Sequence, residues 1–242
     1  MSREFSLDAL VLAGGLGTRL RPALSDRPKA MADIGGRPFI SLLFDQLIRF
    51  GFNRVIVATG YRAESISGYF GSRYQDLELV YSKENEPLGT GGALKLAHRH
   101  IHKQHVLVMN GDTFVDFALR GFFLKHLKTK SLVSLLLCKA DDARAYGSVK
   151  MDNQGRITAF VEKKRELGSG CVSAGNYLIS RDALKMLPGS KKFSLESKFF
   201  PTLVEGRGLM GHCSNNPLHD IGTPDTYRYF LSKMAEEESS RT

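Results

Sequence analysis

The sequence predicts an α/β fold, a mainly parallel sheet with helices on both faces, and three observations carry that prediction. Short apolar runs alternate with segments of helical spacing through the first half of the 242 residues. The first of these runs, Leu7 to Leu12 broken only by Asp8, ends in a turn that places Gly14, Gly15 and Gly17 within four positions. Repetition of strand, helix and strand at this spacing favours right-handed crossovers between parallel neighbours. One domain over residues 1–242 is expected, because that length supports one large core and no repeat or long linker divides it.

Each element follows from local pattern. Leu7–Leu12 reads as a buried strand, and Phe39 to Phe50 carries apolar residues at helical spacing up to Gly51. Arg54–Thr59 reads as a strand, Ala63–Phe70 as a helix and Leu77–Tyr81 as a strand. Thr90 to His98 reads as a helix entered through Gly89-Thr90 as its cap. His105–Met109 is a strand, Leu119–Leu127 a helix and Leu132–Cys138 an aliphatic strand. The character then changes: Gly147–Met151, Ile157–Glu162 and Val172–Ile179 are short strands. Asp152-Asn153-Gln154-Gly155, a hairpin signal, separates the first two, and Gly168-Ser169-Gly170 follows. A small mixed β layer over the open edge of the site is expected from them. Helices near Ser180–Leu187 and Leu195–Glu205, a strand near Leu209–Cys213 and a final helix, Pro224–Glu238, complete the pattern.

Composition narrows the function classes. Hydrophobic residues make up 42% and charged residues 24%, ordinary for a globular chain. No apolar run approaches the ~20 residues of a membrane span, and the first residues lead into a strand without a signal-peptide core, so no membrane partner is expected. The three cysteines, Cys138, Cys171 and Cys213, are distant in sequence and form no C-x-x-C. Neither a disulfide framework nor a zinc site is indicated, two of them read as core residues, and a reducing cytoplasmic setting is the expectation. The net charge of +9 raises nucleic acid as a partner. The basic residues are scattered, however, with no dense run beyond Lys163-Lys164-Arg165 and no nucleic-acid motif, so none is expected. His98, His100, His102 and His105 lack the carboxylate of an H-E-x-x-H motif and read as structural or solvated.

The chemistry concentrates in residues 12–31. A strand ending in closely spaced glycines lets the backbone approach a bulky anion, and successive N–H groups form an anion-binding concavity. Arg19 and Lys29 add two cations, so the turn expects a polyphosphate. The dinucleotide fingerprint fails because its third glycine falls on Leu20, and no G-K-[ST] triplet follows for a P-loop. Asn110-Gly111-Asp112 lies at the carboxyl end of a predicted strand, where ligands sit in open parallel sheets. Asp112, and Asp220 just before the last helix, are candidates to hold a hard cation near phosphates.

The pattern G-G-x-G-T-R-[LM]-x-P with a later P-K-x-[ML], carried here by Gly14, Gly15, Gly17, Thr18, Arg19, Leu20, Pro22, Pro28, Lys29 and Met31, resembles the sugar nucleotidyltransferases. The resemblance runs from residue 10 to about 227. It implies a Rossmann-like (GT-A-type) domain, with the nucleotide in about 7–138 and the sugar phosphate in about 139–230. It implies transfer of a nucleotidyl group from an NTP to a sugar 1-phosphate, with Arg19, Lys29 and Asp112 as catalytic residues and Mg²⁺ on Asp112 and Asp220. Leu12, Ala13, Gly14, Gly15, Gly17, Thr18, Arg19, Glu86, Leu88, Gly89 and Thr90 are implied as nucleotide contacts. Asn110, Tyr146, Gly147, Glu162, Lys163 and Asn176 are implied on the sugar side, although the E-K-P usual there reads Glu162-Lys163-Lys164. Within the family, Pro87-Leu88-Gly89-Thr90-Gly91-Gly92-Ala93 and Asn110-Gly111-Asp112-Thr113 most resemble the D-glycero-α-D-manno-heptose 1-phosphate guanylyltransferases, which implies GTP. Mannose-1-phosphate guanylyltransferases and N-acetylmuramate 1-phosphate uridylyltransferases remain alternatives. So do a non-catalytic nucleotide-sugar sensor and a homo-oligomeric assembly.

Overall fold

The computed structural model describes residues 6–20, 27–140, 148–161, 170–206 and 208–239. In chain order these form β1 (Leu7–Leu12), β2 (Asp33–Ile34), β3 (Arg37–Pro38), α1 (Ile40–Arg49), β4 (Arg54–Thr59), α2 (Ala63–Phe70), β5 (Arg73–Tyr74), β6 (Leu77–Lys83) and α3 (Gly89–Ala97). Then come β7 (His105–Asn110), β8 (Thr113–Phe114), α4 (Leu119–Thr129), β9 (Val133–Ala140), β10 (Ser148–Met151), β11 (Ile157–Val161) and β12 (Gly170–Ser180). The chain continues with α5 (Arg181–Lys185), α6 (Phe200–Glu205), β13 (Leu209–Ser214), β14 (His219–Asp220) and α7 (Pro224–Ser239).

The centre of the sheet is parallel, in the order β6-β4-β1-β7. Successive strands run outward from β1 to β6, and the chain then returns to add β7 on the other side of β1. That reversal makes the carboxyl ends of β1 and β7 diverge, the place where an open α/β sheet receives its ligand. Of these, β1, β4 and β7 are buried on both faces and read as nearly continuous apolar runs, whereas β6 exposes Glu78 and Lys83. One face packs Val11, Val57 and Leu107 against Leu43, Phe44 and Leu47 of α1 and Phe122 and Phe123 of α4. The other packs Leu10, Ile56 and Val108 against Leu94 of α3, Leu184 of α5 and Phe200 of α6.

The small β layer expected beyond residue 139 is built as the antiparallel flank of this same sheet. β12 pairs antiparallel with β7 through Asn176–Ser180 and with β9 along its length, while β10 and β11 form the expected hairpin at the edge. Asp152 shapes the hairpin turn by accepting the Gln154 and Arg156 N–H groups at 2.8 and 2.9 Å. β13 lies parallel to the outer side of β9. The flank joins the main sheet because β12, eleven residues long, reaches both β7 and β10.

Two further expectations are corrected. Thr90 does not cap α3: the helix begins without a side-chain cap, and the Thr90 hydroxyl is turned toward Glu196. The helix expected over Leu195–Glu205 is two pieces, a wide turn at Leu195–Phe199 followed by α6. Pro201 explains the break, since it lacks the N–H that a continuous i to i−4 ladder requires. Of the cysteines, Cys138 is buried, but Cys213 is exposed and its Sγ lies 3.5 Å from that of Cys171. Among the described residues, no helix is long and apolar enough to cross a membrane.

Candidate active site

A cavity of about 410 Å³ opens at the carboxyl ends of β1, β6 and β7. Leu12, Ala13, Gly14, Gly15, Gly17, Thr18 and Arg19 line it, all from the first glycine turn, together with Lys29, Gly89, Thr90, Asn110 and Asp112. The turn is anchored to the sheet: Ala13 N–H donates to the Ala58 carbonyl at 2.8 Å, and Gly111 N–H donates to the Leu12 carbonyl at 2.9 Å. Gly17 takes φ +57°, a left-handed conformation that reverses the chain toward Leu20. Arg19 is exposed on this lining, whereas Lys29 sits in a short turn and is only 9% exposed.

Lys29 is where the long-range geometry converges. Its Nζ donates to Asp112 Oδ2 at 2.6 Å and lies 3.5 Å from Asp220 Oδ1. The two carboxylates meet through a two-residue ladder: β8 pairs with β14, setting Asp220 opposite Thr113, and Ile221 N–H donates to the Asp112 carbonyl at 3.1 Å. Burial pushes the Asp220 carboxyl up, the Lys29 ammonium pulls it down, and the Asp112 charge raises it again. Two carboxylates converging beside a cation-lined cavity match the donor set of a hard divalent cation completed by substrate oxygens and water. No cluster of three or more His, Cys, Asp or Glu side chains stands ready for a metal among the described residues. The carboxylate pair therefore fits an ion that arrives with phosphates rather than one held in an all-protein cage.

The other wall differs from expectation. Glu86 is exposed, pairs with Lys191 and is not among the residues that line the cavity. Glu84 lines it instead: it follows the last residue of β6, and its N–H donates to the Thr59 carbonyl at 2.8 Å. Its carboxylate is nearly buried, with Oε2 accepting the Leu88 N–H at 3.3 Å. Glycine at 14 and 60 makes room for it, since a Cβ at those positions would stand 2.9 and 2.5 Å from Oε1. Burial pushes this carboxyl up, and the Leu88 N–H offsets part of that shift. Leu88 itself is buried behind the wall and contributes backbone only.

On the third side, Asn110 ends β7 and lines the cavity, and its Oδ1 is buried without a hydrogen-bond partner. Asn176 lies in β12 opposite Met109; it is buried, with Nδ2 donating to the Ala174 carbonyl at 3.0 Å, and it does not line the cavity. Tyr146, Gly147, Glu162 and Lys163 lie outside the described residues. Leu16, Ala30, Glu84, Pro87, Ala93, Gly111 and Gly222 complete the lining and were not among the contacts expected from the sequence. For Glu84 a signal existed, since it stands at the carboxyl end of a parallel strand, where ligands bind.

Comparison with known proteins agrees with this geometry. The profile of the nucleotidyl transferase family matches residues 8–237. The chain is 38% identical over 222 residues to the D-glycero-alpha-D-manno-heptose 1-phosphate guanylyltransferase of Aneurinibacillus thermoaerophilus, covering 92% of this chain and 96% of that protein. It is 35% identical to the enzyme of the same name from Campylobacter jejuni, over 93% and 99% of the two chains. Its backbone superposes on the crystal structure of HddC from Yersinia pseudotuberculosis complexed with GMP-PN with a TM-score of 0.82 at 33% identity, covering 94% of this chain and 99% of the other. The likeness to this family and to these guanylyltransferases thus runs along nearly the whole chain, and this chain belongs to the nucleotidyl transferase family.

Proposed function

We propose that the chain transfers a guanylyl group from GTP to D-glycero-α-D-manno-heptose 1-phosphate, giving the GDP-sugar and pyrophosphate. The observation that carries the choice of base is Glu84, a nearly buried carboxylate that lines the cavity beside Gly14. A carboxylate offers acceptors only, and guanine alone among the common bases presents two adjacent donors, N1–H and N2–H₂, on its pairing edge. Both guanylyltransferase relatives, aligned over more than nine-tenths of the chain, support the same base and the heptose phosphate.

The reaction needs no covalent intermediate. A phosphate oxygen of the sugar 1-phosphate attacks the α-phosphorus in line, the bond to the bridging α–β oxygen breaks, and pyrophosphate leaves with that oxygen. Two polyanions must approach, so positioning and charge neutralisation supply the catalysis. Arg19 and the amides of the Gly14–Gly17 turn hold the β- and γ-phosphates, and Lys29 stabilises charge developing at the α-phosphate. Asp112 and Asp220 would hold Mg²⁺, which would supply polarisation of phosphoryl oxygens and offset their charge. Gly89 and Thr90 frame the base, with Glu84 in the contact role expected of Glu86. Contacts to the sugar 1-phosphate are assigned to Asn110, Asn176, Tyr146, Gly147, Glu162 and Lys163, with Lys163 the partner of the acceptor phosphate. Nucleotide contacts accordingly fall within about 7–138, and sugar-phosphate contacts other than Asn110 within about 139–230.

Pyrophosphate release tests the proposal, with five NTPs run against heptose, mannose, glucose and N-acetylmuramate 1-phosphates in Mg²⁺. GTP with the heptose phosphate is the expected active pair, and Asp112→Asn is expected to lower its turnover at least 100-fold. An active pair with another base or sugar would reject the assigned substrates and keep the chemistry. Nucleotide binding without release across the whole grid would favour a sensor.

A further inference from the structure

The second glycine turn has two faces. One lines the cavity through Gly89, Thr90 and Ala93. The other is bound to a segment about a hundred residues later. Phe193 N–H donates to the Leu88 carbonyl at 3.0 Å, and the Gly91 and Gly92 N–H groups donate to the Phe193 carbonyl at 3.0 and 3.3 Å. A Cβ at Gly91 would stand 2.1 Å from the Phe193 ring, and one at Gly92 would stand 2.4 Å from the Lys191 carbonyl oxygen. These two glycines therefore serve the close approach of this segment rather than the approach of a ligand.

Glu196 occupies the centre of the contact. One carboxylate oxygen accepts the Thr90 and Ser194 hydroxyls, each at 2.7 Å, and the other accepts the Tyr177 hydroxyl at 3.0 Å. The Thr90 hydroxyl in turn accepts the Leu195 N–H at 2.9 Å. Tyr177 lies in β12 beside Asn176 and is 1% exposed. Its backbone pairs with that of Val108 in β7, two residues before Asn110. Side chains thus join Thr90, on the nucleotide wall, through Glu196 to Tyr177, whose strand pairs with β7 just before that strand ends at Asn110. Glu196 touches both arms and does not itself line the cavity.

We propose that Glu196 is a positioning residue for nucleotidyl transfer: through Thr90 and Tyr177 it holds the base-framing wall at a fixed distance from the strand end that carries Asn110. The inference rests on the nucleotidyl-transfer reading above. It predicts a particular kinetic signature. In Glu196→Gln the amide nitrogen cannot accept, so either the Tyr177 hydroxyl or the Thr90–Ser194 pair loses its acceptor. The nucleotide KM is expected to rise about tenfold while kcat at saturating nucleotide changes less than about threefold, as expected when binding rather than chemistry is disturbed. Tyr177→Phe removes one donor, leaves the ring packed, and is expected to raise the same KM about threefold. The double variant should be no worse than Glu196→Gln alone, because both changes cut one connection.

The test is steady-state pyrophosphate release for wild type and the three variants, with circular dichroism and urea midpoints on the same preparations. A Glu196→Gln enzyme whose nucleotide KM stays within twofold of wild type overturns the proposal, as do KM effects that multiply in the double variant. If Glu196→Gln fails to fold, Tyr177→Phe alone carries the test, and an unchanged KM overturns it. If wild type releases no pyrophosphate with any substrate pair, the nucleotidyl-transfer reading fails separately. Calorimetric GTP affinity then decides the positioning role, with about tenfold weakening in Glu196→Gln expected and an equal affinity against it.

Discussion

Lys29 and Glu84 face the same cavity with opposite charge, and each is nearly buried. Lys29→Ala removes the cation between Asp112 and Asp220, leaving two carboxylates to repel each other across the reacting phosphate. A fall in kcat of roughly 10²–10³ is expected, the usual loss when one preorganised charge donor is removed, with GTP binding by calorimetry weakened far less. Glu84→Gln exchanges one acceptor for a donor. The kcat/KM for GTP is expected to drop about 100-fold relative to that for ATP, because a site built for base donors is left with an unpaired group; competition between the two nucleotides measures it. Lys29, Asp112 and the first glycine turn were legible in the sequence because the chemistry of polyphosphate binding requires those residue types in close succession. Glu84 was not, since Glu86 stood nearer the glycine turn. Only the register of β6 decides which of the two acids ends on the cavity and which faces Lys191.

At the scale of elements, apolar periodicity located the central strands to within two residues, because strands buried on both faces must be continuously apolar. What it missed depends on distant partners. Thr90 resembles a cap in sequence, but its hydroxyl answers a carboxylate 106 positions away. The start of α3 is consequently sensitive to volume. Gly92→Ala would drive a Cβ against the Lys191 backbone, and a loss of about 1–3 kcal/mol is expected, the ordinary cost of overpacking. Urea unfolding measures it. Gly121→Ala, where a Cβ meets nothing within 4 Å, is expected to be neutral or slightly stabilising.

For the whole molecule, the second half joins the main sheet through β12, a pairing no local pattern announces, since it links residues 170–180 to both β7 and β9. At the opposite end from the cavity, this arrangement buries a polar cluster. His126 Nδ1 lies 2.8 Å from Ser134 Oγ, and its Nε2 lies 3.0 Å from His105 Nδ1. Burial pushes His126 down to about 3 and His212 down to about 4. The folded protein holds both neutral, whereas the unfolded chain protonates them near 6.5. Stability is therefore intact above that value and lost as the pH falls below it. His126 alone is expected to cost about 2 kcal/mol between pH 7 and pH 5, and His212 less because it is more exposed. Urea midpoints at the two pH values measure the sum, and His126→Gln should remove the His126 share and leave that of His212. The position of Asp220 carries a last consequence, for synthesis. Lys29 meets one carboxylate 83 residues later and the other in β14, the last strand among the described residues. A ribosome that has released β1 to β7 has already made a phosphate-binding turn, yet the cation between two acids forms only when β14 closes on β8. The glycine turn and the second acid are therefore translated far apart, and Lys29 gains Asp220 as a neighbour only after β14 has emerged.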